Sequence, residues 1–311
     1  MSSTWFLANS QNLGYASGVS QKDFSDAALL LVGHGSTQNA DSAAPVFQHA
    51  AELRRRRLFA QVREGFWKQE PKVVEVLPQL TEGRVFIVPL FISEGYFSEN
   101  IIPHALGFSP PLERMRASAA QSQFYCRPVG SHPSMTNVLL SRASRVIEQF
   151  PFPRAPKSRD ITLFIAGHGT EQDQQSREAI DKQVELIRKM DSYAAVEPIF
   201  LEQEPRIGTC YQTARTKNIV IVPFFISEGL HVAEDLPVLL GEPERIVKQR
   251  LERRQATWRN PTERHGKLVW LGSSVGTEPL LAEVILARVE EAAKGANPKA
   301  EIRRPKSEET A

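Results

Sequence analysis

The chain has little cysteine. Among 311 residues only Cys126 and Cys210 occur, far apart and without a CxxC. No disulfide framework, closed zinc finger or iron–sulfur site follows, and both read as reduced, buried thiols. An excess of one charge is also missing: the formal net charge is +2, so bulk electrostatics calls for neither nucleic acid nor an anionic membrane as partner. Long apolar runs are absent as well. The longest, Val85–Ile92 and Ile219–Ile226, have strand length and each contains a proline, far short of the ~20 residues that cross a bilayer. Glycines stand at 33, 35, 167 and 169, yet neither GxGxxG nor GxxxxGK[ST] is present, so no dinucleotide or direct ATP site is expected. Met1–Asp26 lacks a basic segment followed by an apolar core, so no signal peptide is expected and the cytoplasm is the expected compartment.

What is present describes a globular protein, 41% hydrophobic and 24% charged, long enough for two domains. The most informative stretch runs from Ile161 to Pro237. An apolar run from Ile161 stops at Gly167 and presents His168; a second, Val196–Leu201, ends at Glu202; a third, Asn218–Ser227, ends just before His231. Three strands thus each deliver one ligand-type residue at the carboxyl end, the edge where open parallel sheets bind ligands. Neighbouring strands lie about 4.8 Å apart, so these side chains can converge on one ion. Two imidazoles and a carboxylate leave coordination positions open, as a catalytic metal site requires. They suit divalent cobalt, iron, nickel or zinc, and the ligand set alone does not choose. Glu204, two residues past Glu202, would point the same way in a strand and is a secondary candidate.

The pattern occurs twice. Sliding the sequence by 134 positions aligns residues 33–103 with 167–237 without a gap: His34 falls on His168, Pro89 on Pro223, and Ile92-Ser-Glu-Gly95 on Ile226-Ser-Glu-Gly229. A period this long marks a duplicated domain rather than a solenoid. The expected organisation is α/β: a loose extension over 1–26, a first doubly wound parallel-sheet domain over 27–150, a proline-rich linker over 151–160, a second such domain over 161–293, and a disordered tail over 294–311. Two similar domains facing each other would enclose a central cleft. The halves differ at the candidate ligands, because Glu202 aligns with Lys68 and His231 with Phe97. The second half therefore holds the complete set and the first shapes the cleft.

Other candidates have plainer readings beside the functional one. His34 could mirror His168 as ligand or proton carrier, or be a relic of duplication. His132 ends the fourth strand of the first half and could line the cleft. His104 follows Pro103 at a helix start and reads as packing; His49 and His265 read as surface residues. Arg54–Arg57 close a helix and complement its dipole. Arg206, with Arg215 and Lys217, is a candidate for substrate carboxylates.

These residues carry a resemblance. Gly167-His168-Gly169-Thr170, Phe200-Leu-Glu202 followed by Glu204-Pro205, and Val222 through Gly229-Leu-His231-Val-Ala-Glu-Asp235-Leu-Pro237 are similar to the class II tetrapyrrole chelatases of the sirohydrochlorin cobaltochelatase and ferrochelatase type (CbiX/SirB), in their two-domain long form. The resemblance spans about residues 27 to 293. It implies a lyase that inserts cobalt or ferrous iron, with nickel a further option, into sirohydrochlorin or a related tetrapyrrole, without a nucleotide, as a monomer or homodimer. Two departures stand out: the long form is expected to keep its full site in the N-terminal half, where this chain has Lys68 and Phe97, and Thr170 stands where serine is common. A macrocycle that takes up a dication loses two N–H protons, so metal holder and proton acceptor must share a face. Histidine can do either near neutrality. On this reading His168 is ligand and base, His231 the second ligand, and Glu202 the anionic ligand and proton relay. A non-catalytic metal or tetrapyrrole carrier is the alternative, and a metal-dependent hydrolase a further one.

Overall fold

Valine, isoleucine and leucine dominate Ala27–Val32 and its counterparts, and in the computed structural model, which describes residues 24–37, 39–169 and 174–295, they form the centres of two sheets. In the first half β1 (Phe24–Gly33), β2 (Phe59–Phe66), β3 (Arg84–Pro89) and β5 (Ser122–Tyr125) are parallel, in the order β2-β1-β3-β5, and β4 (Met115–Ala117) adds an antiparallel edge. The second half repeats this with β6 (Ile161–Gly167), β7 (Ala195–Phe200), β8 (Asn218–Pro223), β10 (Lys267–Leu271) and the antiparallel edge β9 (Thr262–Arg264), in the order β7-β6-β8-β10-β9. Buried on both faces, the central strands read as continuous apolar runs, as parallel strands do. The edge strands escape sequence reading: β4 is three exposed residues with no apolar alternation.

Several boundaries differ from expectation for local reasons. β1 starts at Phe24, inside the expected extension, because Phe24 is buried and stacks on Phe59 with ring centroids 5.4 Å apart. β8 stops at Pro223 instead of running on to Ser227, and β3 stops at Pro89 inside the apolar run Val85–Ile92, since proline has no N–H for the ladder. Lys294 and Gly295, placed in the tail, complete the last helix. The remainder of the extension, residues 1–23, and of the tail, residues 296–311, lies outside the described residues, as does Thr170.

The long helices are α1 (Ala44–Arg56), α4 (Met135–Gln149), α5 (Gln174–Lys189) and α9 (Leu281–Gly295); shorter ones are α2 (Val73–Val76), α3 (Ile102–Ala105), α6 (Cys210–Thr213), α7 (Leu236–Leu239) and α8 (Glu244–Glu252). The final long helix of each half crosses over. α4 packs on β8 and β10 of the second sheet, and α9 packs on β3 and β5 of the first. One apolar cluster is therefore shared, running from Leu29, Phe86 and Val138 through Val220, Trp270 and Val284, while a smaller cluster stays within each half, around Leu30, Ile87 and Ile102 in the first and around Phe164, Ile221 and Leu236 in the second. Trp270 seals it by donating from Nε1 to the Phe150 carbonyl at 2.9 Å.

Polar contacts finish the seam between the halves. Glu278 is fully buried, with Arg145 at 3.0 Å, Arg142 at 3.4 Å and the Ser141 hydroxyl at 2.8 Å. Past β5 and β10 the internal alignment resumes with Val129-Gly130 on Val275-Gly276 and Arg142 on Arg288. In this register His132 falls on Glu278 and Glu291 on Arg145, and His132 Nε2 lies 3.3 Å from Glu291. The same contact between a carboxylate and a basic side chain is thus made twice across the seam with the partners exchanged. His49, expected at the surface, is buried here; a ring nitrogen donates to the Gly276 carbonyl at 2.8 Å. Its aligned residue, Gln183, donates to the His132 carbonyl at 3.0 Å.

Candidate metal centre

The candidate site is assembled by the loops leaving β6, β7 and β8. After Gly167 the chain turns at once, with Gly169 at φ +67°, where a side chain would be strained and a Cβ would press into Phe200 at 2.7 Å. His168 is held in this turn and is half-buried. The β7 loop is tied to it by two backbone bonds, Leu201 N–H to the Gly167 carbonyl at 3.0 Å and Glu202 N–H to the His168 carbonyl at 3.1 Å. They bring Glu202 Oε1 to 3.7 Å from His168 Nε2. Beyond β8 the chain enters a π-helical turn, His231–Asp235, a distortion often found at functional sites. It places the His231 ring edge-on to His168, with centroids 4.7 Å apart and planes at 84°.

Asp235, quoted in the motif but given no role above, is the addition the structure makes. Its Oδ2 lies 2.6 Å from His231 Nδ1. A carboxylate can only accept, so Nδ1 carries the proton and Nε2 is left free to meet an ion, the arrangement that hydrogen-bonded carboxylates impose on metal-binding histidines. The spacing of four residues inside one helical turn was the available signal. His168 Nδ1 is buried without a hydrogen-bond partner among the described residues. Burial, and after it the neighbouring His231 imidazole, holds His168 below the usual histidine range, against the opposing pull of Glu202 and Asp235. The neutral ring, the form that binds cations and accepts protons, is thereby favoured. Among the described residues no three histidine, cysteine or carboxylate side chains stand close enough to form a finished metal cage. His168, Glu202 and His231 are an open set joined pairwise through His168.

The secondary candidates lie elsewhere. Strand alternation does not relate Glu204 to Glu202, because β7 has ended at Phe200; the Glu204 carboxylate accepts from the Arg206 N–H at 3.1 Å. Arg206 in turn donates to the Leu201 carbonyl at 2.9 Å and braces this loop. His132 sits in the seam rather than lining a cleft: Nδ1 accepts from the Ser134 N–H at 3.0 Å, and Nε2 faces Glu291. His34 occupies the equivalent of His168, with Nδ1 donating to the Gly35 carbonyl at 3.0 Å. Its ring meets Phe97 edge-on at 4.9 Å and 90°, the counterpart of the His168–His231 contact. Burial holds His34 below its ordinary range, the Gly35 bond opposes this, and the Lys68 charge adds to it. His104 and His265 are exposed. Both cysteines are free and buried, and burial pushes each thiol up to about 12, which removes them as nucleophiles or metal ligands.

A profile of the CbiX family matches residues 28–146 and 162–292, both halves in turn. The chain belongs to the CbiX family. It is 36% identical over 279 residues to the probable sirohydrochlorin cobaltochelatase of Halobacterium salinarum, covering 85% of this chain and 91% of that protein. It is 28% identical over 143 residues to the sirohydrochlorin cobaltochelatase of Methanopyrus kandleri, covering 42% of this chain and 96% of that one, about the length of a single half. Among solved structures, a multi-domain Deinococcus radiodurans protein described as structurally similar to chelatases superposes with a TM-score of 0.69 at 28% identity, over 86% of this chain and 55% of its own. This CbiX-family chain thus spans about half of that protein. SirB from Bacillus subtilis, solved with Fe3+, shares the fold with a TM-score of 0.61 at 19% identity, over 88% of this chain and 98% of its own. No helix among the described residues is long and apolar enough to cross a membrane.

Proposed function

We propose that this chain inserts a divalent metal, cobalt or ferrous iron, into sirohydrochlorin, and that its second half carries the reaction. The observation that supports this most directly is the meeting of His168 with Glu202 at 3.7 Å and with His231 at 4.7 Å between rings, at the carboxyl ends of three adjacent strands. The incoming ion is substrate: His168, His231 and Glu202 receive it, and the open set lets it leave again. Neutral His168 accepts a proton as a pyrrole N–H is lost, and exposed Glu202 relays protons outward. No nucleotide enters, and nickel is a third metal to be tried. The same reading carries a cytoplasmic monomer or homodimer whose partner is the tetrapyrrole, with neither nucleic acid nor membrane.

The test is an anaerobic absorbance assay of purified protein with sirohydrochlorin and each of Co2+, Fe2+ and Ni2+. Turnover with one of these metals, abolished in His168→Ala, is expected. Activity kept in His168→Ala but lost in His34→Ala would move the site to the first half. Stoichiometric macrocycle binding without turnover would make the protein a carrier.

A further inference from the structure

The first half repeats the loop framework of the second with different chemistry. Lys68 hangs from the His34 carbonyl by a backbone bond of 2.8 Å, as Glu202 hangs from His168 at 3.1 Å. In place of a carboxylate it offers an exposed ammonium that makes no ion pair among the described residues. Phe97 replaces the second imidazole, and next to it Tyr96 is 67% exposed, the most exposed large hydrophobic residue described, its ring 6.3 Å from that of Phe97. The aligned residue in the second half, Leu230, is 62% exposed. An ammonium repels a dication, and the two aromatic rings replace the lone pairs that would ligate one. What they suit is a flat apolar body with an acidic arm.

Both histidine loops open on one seam. The turn after β10 packs on α1, which leaves the His34 loop, through His49 and through Gln48 Nε2 donating to the Thr277 carbonyl at 2.9 Å. The turn after β5 packs in the same way on α5, which leaves the His168 loop, through Gln183. The carboxyl edges of the two sheets therefore border a common interface.

We propose that Lys68, Tyr96 and Phe97 form a macrocycle-holding face, the Lys68 ammonium pairing with a carboxylate arm of the tetrapyrrole, the exposed Tyr96 ring lying against its plane and the Phe97 ring, inclined at 69° to Tyr96, meeting it edge-on. This rests on the chelatase reading of the second half. The duplicated metal site has become, in the first half, a substrate clamp.

The experiment measures binding of metal-free sirohydrochlorin by fluorescence titration to wild type, Lys68→Met and Lys68→Arg, with Co2+ binding to each protein alone as control. Lys68→Met is expected to weaken macrocycle binding about tenfold, the scale of one lost charge-assisted hydrogen bond, and to raise the KM in turnover by a similar factor. Lys68→Arg restores most of it, and the Co2+ affinity of both variants stays at the wild-type value. The fully esterified macrocycle, which has no anionic arm, should bind wild type and Lys68→Met alike. Sirohydrochlorin affinity in Lys68→Met within about twofold of wild type overturns the proposal, since a lost ion pair exceeds that margin. Because the readout is binding, a wild type that holds the macrocycle without metallating it refutes the chelatase reading and leaves the clamp standing; one that holds no macrocycle refutes both.

Discussion

His231 Nδ1 and Asp235 Oδ2 lie 2.6 Å apart, across the single π-helical turn that follows β8. The carboxylate fixes which ring nitrogen is protonated and so which one is offered to an ion. Asp235→Ala frees the ring to rotate and to change tautomer. Co2+ affinity measured by calorimetry should drop about 10- to 100-fold; an unchanged affinity would remove Asp235 from the site.

The two halves share a backbone frame but not a ligand set, which makes the first half a ready test of what the second needs. His34 and Phe97 stand as His168 and His231 do, at 4.9 Å against 4.7 Å. Lys68→Glu combined with Phe97→His rebuilds the carboxylate and the second imidazole. Co2+ stoichiometry should rise from about one to about two per chain in equilibrium dialysis, because two imidazoles and a carboxylate make an open divalent site. A ratio still near one would show that the frame alone does not define the site.

Acid should loosen the seam through His49. Burial is the main reason that His49 lies below the ordinary value of 6.5. The unfolded chain therefore binds this proton more readily, and the contribution of His49 to stability is complete above about pH 6.5 and lost as the pH falls below it. His49→Gln keeps a donor for the Gly276 carbonyl, as Gln183 does for His132, and removes the titration. Denaturant unfolding between about pH 7 and pH 5 should show a shallower loss of stability in the variant than in wild type. His34, His132 and His168 are also held down chiefly by burial, so some slope remains. Identical slopes would contradict this account.

The two reversed contacts should differ in weight. Glu278 is 0% exposed and faces two arginines, whereas the Glu291 side chain is 49% exposed. Glu278→Ala strands buried positive charge and is expected to cost about 3–5 kcal/mol in thermal or denaturant unfolding. Glu291→Ala removes a carboxylate that is already half in water and leaves its buried partner Arg288 bonded to the Pro128 carbonyl and the Ser131 hydroxyl, so it should cost clearly less than Glu278→Ala. Equal costs would mean that the seam does not distinguish them.

Much of the candidate site is written locally. A short apolar run that stops at a glycine places His168 at a strand end, and the 134-residue recurrence shows which positions of the first half have changed. Glu204 and His132 illustrate the limit. One was read with strand alternation past the point where the strand ends, and the other by a strand end that the fold turns into the seam.

The sequence by itself determined the duplicated parallel-sheet plan and the order of the three strands whose following loops carry His168, Glu202 and His231, because apolar runs and their punctuation depend on neighbours along the chain. Only the tertiary structure decided that α4 and α9 exchange halves, that His49 is buried, that β4 and β9 form edges, and that Asp235 orients His231. An apolar stripe records that a helix will be buried, not which sheet will cover it. A polar residue's role is set by the partner that long-range packing brings to it.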